Sequence, residues 1–265
     1  MSNPICLFDS GIGGLTVLKK LIKNFPDENY IYLADLAKVP FGDKTKEEIK
    51  DIANEIIDWL LKFNPKLIIM ACNTSSAVLL EKGRINPAPT VPVFGMIESC
   101  AKEIGKDSYN HVTVWATKLV AENNAYKNAI QKINPKVIVE EIACTKLVPM
   151  IEDLNFNSAD KTEIILEYLN KTSNDSEVLI LGCTHYPLIQ EDLRKLLKTK
   201  IIDPSESLVQ EVGQYLSLVT NSTNNKQEVL YTTAQTEKVK LFSKAYLQED
   251  FKVSLISLSK IKAKI

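Results

Sequence analysis

The protein has 265 residues, of which 45% are hydrophobic and 25% are charged, and its formal net charge at pH 7 is −1. This composition is typical of a soluble globular protein, and the dispersed lysines and arginines argue against a nucleic-acid-binding face or a polybasic membrane surface. The sequence shows no secretion signal and no apolar run of about 18 residues or more, so we expect a cytoplasmic protein without a membrane anchor.

The cysteines and histidines favour reduced thiols over a disulfide framework or a metal centre. There are five cysteines, an odd number, and none of them forms a C-x-x-C pair. The two histidines, His111 and His185, lie far apart in the sequence. We therefore expect no bound metal.

Strand-like apolar runs alternate with amphipathic stretches along the chain, which predicts an α/β fold with a mostly parallel sheet. The predicted strands are, in order, ICLFD, NYIYLAD, LIIMAC, VPVFGM, HVTVWAT, KVIVEEIA, VLILGC, KIIDP and EVLYTTA. The clearest helix, TKEEIKDIANEIIDWLLKF, keeps an apolar period of about 3.6 residues. Its Thr45 and Glu48 have the spacing of a capping box. Residues 83–92 and 221–228 are rich in proline or in polar residues and are predicted to connect domains.

The first predicted strand ends in Asp9 and Ser10, which lead into the glycine-rich turn DSGIGGL. The turn does not complete G-x-G-x-x-G, because Thr16 stands where the third glycine belongs. No Walker sequence occurs, and Ser10 is not within G-x-S-x-G, so nucleotide-binding proteins and serine hydrolases are excluded. Asp9 or Ser10 could simply cap the following helix, and that structural role is compatible with a chemical one.

A second loop, KVPFGDKT, places Pro40, Phe41 and Gly42 ahead of the capped helix. Its backbone N–H groups are suited to receive a carboxylate. A plain turn is an equally good interpretation, and Phe41 taken alone is better explained by packing.

Two predicted strands end in a cysteine followed by polar residues: LIIMACNTSS contains Cys72, and VLILGCTHYP contains Cys183. The residues Asn73 to Ser75 are predicted to form a turn. Ligands of open α/β sheets bind outside the carboxyl ends of the strands, where both thiols would lie. A single cysteine there is most often an inert buried residue, but two equivalent strand ends are harder to explain in that way. His185 follows Cys183 closely and could take or share its proton.

This repetition of a strand, a cysteine and a turn predicts two similar αβ lobes that face each other across an active site. The other three cysteines lack polar neighbours in the sequence and are interpreted as structural: Cys6, Cys100 and Cys144.

The segments FDSGIGGLTV, VPFG, ACNTSSA, VPMIE and LGCTHYPLI together resemble the cofactor-independent glutamate racemases of bacteria. The resemblance runs in order from residue 5 to about residue 247. It implies interconversion of L- and D-glutamate for peptidoglycan synthesis, with no cofactor. It also implies a first lobe of residues 1–95 and 211–265 and a second, inserted lobe of residues 96–210.

Inversion of a stereocentre by proton transfer needs one base on each face of the α-carbon, and two thiols suit that symmetry. By the family pattern, Cys72 and Cys183 are the two bases, Asp9 assists Cys72, and His185 assists Cys183. Glu152 in VPMIE matches a family acidic residue in the cleft. The expected substrate-binding residues are Ser10, Pro40, Phe41, Gly42, Asn73, Thr74, Thr117 and Thr184.

The sequence also departs from the family pattern. Phe41 stands where tyrosine is usual, Val120 where a second threonine is usual, and Asn123 where serine is usual. Thr145 replaces a usual proline, and Ala234 replaces a usual glycine. Because valine cannot donate a hydrogen bond, we expect weaker glutamate binding and more tolerance of other substrates.

Two other functions stay open at this point. The chain could be an aspartate or broad-specificity amino-acid racemase of the same superfamily, or a catalytically silent homologue with a binding or regulatory role. The presence of both thiols together with Asp9 and His185 argues against the silent homologue. A one-cysteine relative, such as a decarboxylase, fits less well for the same reason. The sequence does not decide the oligomeric state and leaves a homodimer open.

Overall fold

A computed structural model of the chain describes residues 3–79, 91–153, 158–219 and 227–258. Within these ranges the strands are β1 Ile5–Asp9, β2 Tyr30–Ala34, β3 Leu67–Met70, β4 Val93–Gly95, β5 His111–Ala116, β6 Ile138–Ala143, β7 Val178–Gly182, β8 Lys200–Ile202, β9 Glu228–Thr232 and β10 Val253–Leu255. The helices are α1 Leu15–Asn24, α2 Lys46–Leu61, α3 Asn73–Leu79, α4 Met96–Ile104, α5 Lys118–Glu122, α6 Ala125–Ile133, α7 Leu147–Glu152, α8 Ser158–Leu169, α9 Gln190–Leu196, α10 Pro204–Leu216 and α11 Thr236–Leu247. Two short 3-10 helices cover Phe41–Asp43 and Tyr186–Ile189.

The strands form two parallel sheets, which confirms the predicted α/β fold with two lobes. Six strands make the first sheet in the order β10-β9-β2-β1-β3-β4, and four make the second in the order β6-β5-β7-β8. Every pairing between these strands is parallel. We call the six-stranded sheet and the helices that pack on it the first lobe, and the four-stranded sheet with its helices the second lobe.

Each sheet is covered on both faces, which explains why its strands read as unbroken apolar runs. In β1, Ile5 and Leu7 pack with α1 and α10 on one face, whereas Cys6 and Phe8 pack with α2 on the other. The second sheet is buried in the same way between two apolar clusters. The carboxyl ends of the strands are therefore the places where polar side chains can gather.

Helix α2 begins as the sequence predicts. The Thr45 side chain accepts the N–H of Glu48 at 3.2 Å, and the Glu48 carboxylate accepts the N–H of Thr45 at 2.8 Å, so the capping box is complete.

The strands agree with the sequence as well. All nine predicted strands are confirmed.

The prediction of a turn after Cys72 is wrong, because helix α3 begins directly at Asn73. Asn, Thr and Ser side chains locally favour turns and helix caps. Here the side chains of Asn73, Thr74 and Ser75 are all buried. Tertiary packing overrides the local preference at this point.

The lobe limits given above stay predictions. The limit at residue 211 falls within α10, whose buried Leu208 and Val212 pack in the core of the first lobe. Most of the two predicted connections lies outside the described residues, since 80–90 and 220–226 are not described. No helix in the described ranges combines the length and apolar character needed to cross a bilayer.

Candidate active site

A cavity of about 400 Å³ lies between the two lobes, next to the carboxyl ends of β1, β3, β5 and β7. Its volume is within the usual range for small-molecule sites, roughly 300–1,000 Å³. The structure brings twelve of the predicted site residues to its wall: Ser10, Pro40, Phe41, Gly42, Cys72, Asn73, Thr74, Thr117, Glu152, Cys183, Thr184 and His185. The remaining one, Asp9, is fully buried beside Ser10.

Cys183 follows β7 and lies beside a buried ion pair. Its Sγ is 3.8 Å from Nδ1 of His185, and Nε2 of His185 is 2.8 Å from Oε1 of Glu152. Burial by itself would lower the pKa of His185, but Cys183 and Glu152 raise that pKa to about 10. Burial would likewise raise the pKa of Glu152, but His185 and Lys238 bring it down to about 2. At neutral pH the site therefore holds an imidazolium next to the Cys183 sulfur.

Cys72 follows β3 and has a different environment. Its Sγ is 3.7 Å from Oγ of Ser10. Burial and the nearby Asp9 carboxylate raise the pKa of Cys72 to about 11. The two sulfurs therefore have different surroundings: a carboxylate lies near Cys72, which favours the thiol form, and an imidazolium lies beside Cys183.

Asp9 holds the glycine-rich loop. Its Oδ2 accepts the N–H of Gly14 at 2.9 Å and that of Gly11 at 3.3 Å, and Thr184 Oγ1 donates to the same oxygen at 3.4 Å. Burial raises the pKa of Asp9, and the charge of His185 offsets part of that rise. Asp9 thus holds the turn that leads into α1, whose N-cap residue is Gly14, and its chemical role stays a prediction. Asp9 acts on Cys72 through its charge, while Ser10 and Ser75 place hydroxyl groups near the sulfur.

The glycines of this loop serve a purpose that the sequence analysis missed. A Cβ atom on Gly13 would lie 2.5 Å from Nδ1 of His185, and one on Gly14 would lie 2.5 Å from Cβ of Asp9. Neither position has room for a side chain. The loop needs glycine so that the first lobe can approach the His185 ring. The sequence feature that could have predicted this close approach is the pair of glycines after a strand that ends in an acidic residue.

The cavity wall offers hydrogen-bond donors where the lobes meet. Thr74 and Thr117 share a hydrogen bond of 3.1 Å between their hydroxyl groups. The Tyr126 hydroxyl donates to Oδ1 of Asn73 at 2.6 Å and so fixes the orientation of that amide. Nδ2 of Asn73 is buried and has no hydrogen-bond partner among the residues that the structure describes. Buried polar groups are nearly always hydrogen-bonded, so this donor calls for a partner such as a ligand.

Some wall residues were not predicted. Lys118 and Thr145 line the cavity, and so does Cys144, which the sequence analysis had interpreted as structural. Burial raises the pKa of Cys144 above its usual range, and its Sγ contacts the Ile142 carbonyl oxygen at 3.4 Å. Cys144 thus forms part of the wall as a neutral thiol.

The expectation that Val120 weakens glutamate binding assumes that its side chain lines the cavity, and this assumption is wrong. Val120 is fully buried in the apolar core of the second lobe and does not line the cavity. Thr117 precedes α5 on the cavity side, and the helix turns Val120 toward the core. Asn123 points its amide at the Leu119 carbonyl oxygen, 2.7 Å away. These two departures therefore do not alter the cavity wall.

The fold and the cavity together define a class: two-lobed α/β enzymes with a thiol from each lobe on the wall of one interlobe cavity. A family model described as Asp/Glu/hydantoin racemase matches residues 13–212. The chain belongs to the Asp/Glu/hydantoin racemase family.

Similar proteins with known names agree with this assignment. The chain is 41% identical over 263 residues to a glutamate racemase of Prochlorococcus marinus, covering 97% of each protein. It is 36% identical over 255 residues to a glutamate racemase of Fusobacterium nucleatum, covering 94% of this chain and 96% of the relative. The crystal structure of a Francisella tularensis glutamate racemase in complex with D-glutamate superposes with a TM-score of 0.89 at 34% identity, over 97% of this chain and 98% of that one. The family resemblance predicted from the motifs is confirmed.

Proposed function

We propose that the protein interconverts L- and D-glutamate, with Cys72 and Cys183 as the two bases. The observation that carries the proposal is the position of two buried thiols, one after β3 and one after β7, on the wall of a single cavity. Family membership and the named relatives support the choice of glutamate as substrate.

The reaction balances with these two sulfurs alone. One thiolate takes the α-carbon proton and becomes a thiol, while the C–H electron pair stays on the substrate. The opposite thiol then gives its proton to the other face of that carbon and is left as a thiolate. The stereocentre is inverted, and the enzyme is ready for the reverse direction.

The surroundings of the sulfurs support this exchange. The His185 imidazolium stabilises negative charge that develops on Cys183, and Glu152 keeps that imidazolium charged. Ser10 contacts the Cys72 sulfur, and the Asp9 charge keeps Cys72 in the thiol form, ready to give its proton. Because both sulfurs are almost fully buried, at 4% and 6% exposure, such interactions act in a poorly hydrated site where electrostatic effects are strong.

Neutral donors supply most of the recognition of the substrate carboxylates. Among the described wall residues, Lys118 alone is a lysine or an arginine. Hydroxyl, amide and backbone N–H groups must therefore supply the other hydrogen bonds to the substrate carboxylates. One such donor is Nδ2 of Asn73, which is buried and has no partner among the described residues. The remaining groups proposed for binding are Ser10, Thr74, Thr117, Thr184 and the Pro40, Phe41 and Gly42 loop.

We extend the proposal to the cellular setting. The protein works in the cytoplasm, needs no cofactor or metal, and supplies D-glutamate for peptidoglycan synthesis. A homodimer is compatible with the proposal, and sedimentation at micromolar concentration tests it.

The test is kcat/KM for L-glutamate, L-aspartate and L-glutamine, measured by circular dichroism on protein dialysed against a chelator. We expect glutamate to be preferred and the dialysed protein to be fully active. A preference for aspartate would overturn the substrate, and activity that returns only with pyridoxal phosphate or a divalent ion would overturn the cofactor-free reaction.

A further inference from the structure

A line of charged contacts runs from the first lobe to the Cys183 sulfur. Nζ of Lys238, on α11, lies 2.6 Å from Oε2 of Glu152, at the end of α7 in the second lobe. The other carboxylate oxygen of Glu152 contacts His185, and the far side of that ring faces Cys183. Lys238 itself does not line the cavity.

We propose that Lys238 is a positioning residue: it fixes the Glu152 carboxylate so that the His185 ring stays aimed at the Cys183 sulfur. The proposal rests on the proposed function, because it assigns His185 and Cys183 to proton transfer. Cys183 and His185 both lie in the second lobe, whereas Lys238 lies in the first. The proposal therefore gives the first lobe a part in orienting the His185 ring.

The geometry explains why a second cation is needed. Each Glu152 oxygen has its own partner, His185 on one side and Lys238 on the other, so the plane of the carboxylate is fixed. The Glu152 side chain is 22% exposed, and without Lys238 one of its oxygens would face solvent and the group could rotate. Functional groups must be held within about 0.5 Å by supporting contacts.

The influence of Lys238 on His185 passes through Glu152. The titratable groups that face the His185 ring are Cys183, Glu152 and Asp9, from the ends of β7, α7 and β1. Removing Lys238 raises the pKa of Glu152 toward its usual value. Glu152 still stays ionised at neutral pH, so the change that reaches His185 is geometric: the carboxylate can rotate and no longer holds the Nε2–H group of His185 in one direction.

Lys238 is not needed to hold the lobes together. Thr16 Oγ1 donates to the Thr184 carbonyl oxygen at 3.0 Å, and Tyr126 donates to Asn73, so other contacts join the lobes. The Lys238 side chain is 29% exposed. We therefore expect Lys238→Met to fold normally.

The first measurement is steady-state racemisation of glutamate by Lys238→Met, Lys238→Arg and a matched control. Lys240→Met is that control, because Lys240 lies on the same helix and pairs at the surface with Glu237 at 2.8 Å. We expect Lys238→Met to lower kcat about 10- to 100-fold, as the loss of a supporting partner typically does, with KM unchanged. Lys238→Arg keeps the cation and should restore most of kcat, and Lys240→Met should equal the wild type.

The second measurement needs no turnover. The chain has two histidines, so a His111→Gln background leaves His185 as the single imidazole for a ring-labelled NMR measurement. His111 lies at the start of β5 and faces Glu140, and we expect its replacement to be silent. Adding Lys238→Met should change the nitrogen chemical shift of His185 Nε2, which reports the hydrogen bond to Glu152, whereas Lys240→Met should leave that shift unchanged.

The kinetic and the NMR measurements distinguish a failure of the proposed function from a failure of the proposed role of Lys238. If the wild type does not racemise glutamate, the proposed function fails, and the NMR measurement alone decides the role of Lys238. An unchanged His185 Nε2 shift in Lys238→Met would overturn the positioning role, and so would a kcat that Lys238→Arg does not restore.

Discussion

A methyl group added at Gly13 should displace the His185 ring and slow the reaction. The new Cβ would lie 2.5 Å from Nδ1 and 2.7 Å from Cε1 of that ring, whereas non-bonded heavy atoms prefer about 3.5–4.0 Å. The atom nearest to the new Cβ would be Oγ1 of Thr184, so that hydroxyl and the ring must both move by about 1 Å. A misplacement of that size costs on the order of 100-fold in rate. This corresponds to about 2.7 kcal/mol in the barrier.

The assay is kcat for glutamate in Gly13→Ala, with the melting temperature as a check of folding. Gly11→Ala is the matched control in the same loop, because its Cβ would meet its nearest neighbour at an ordinary 3.6 Å. We expect that control to change kcat much less. A folded Gly13→Ala protein with kcat within about threefold of the wild type, well short of the misplacement penalty, would refute the argument that close approach of the loop fixes His185.

Four other substitutions test separate parts of the account. Cys72→Ser and Cys183→Ser should each abolish racemisation, because each sulfur serves one face of the α-carbon; a near wild-type rate in either would reject the assignment of the bases. Glu152→Gln should lower the pKa of His185 and move the basic limb of the kcat profile to lower pH. The folded pKa of His185 is raised, so the stability that Glu152→Gln loses should be largest between about pH 4.5 and 6.5 and should vanish as pH rises through about 10 or falls through about 2. Val120→Thr buries a hydroxyl in the core and should cost about 1–3 kcal/mol of stability, with KM for glutamate unchanged; a lower KM would restore Val120 to the binding site.

Local sequence signals predicted the features that depend on neighbours in the chain. The apolar runs predicted nine strands, and the Thr45 capping box predicted the start of α2, because each is decided within a few residues. The strand β10 was missed, since it is an edge strand of three residues, too short for its apolar–polar alternation to stand out. Helix α3 was missed because burial of its polar side chains outweighs their preference for turns.

Contacts between distant segments explain the rest of the candidate site. Cys72 and Cys183 were found because each stands at a strand end with a recognisable pattern. Lys238 was not found, since nothing near it in the sequence indicates that α11 faces Glu152. Val120 was misjudged because a position in a motif does not say which way a helix turns a side chain.

The central claim is that two sulfurs act on opposite faces of one carbon, and deuterium incorporation tests it most directly. The wild-type protein is given L-glutamate in deuterated water, and both enantiomers are analysed early in the reaction. If one thiol removes the proton and the other, already exchanged with solvent, delivers its own, then D-glutamate should carry deuterium at the α-carbon while the remaining L-glutamate keeps protium. D-glutamate that retains the original protium, or L-glutamate that becomes deuterated as fast as product forms, would contradict the account.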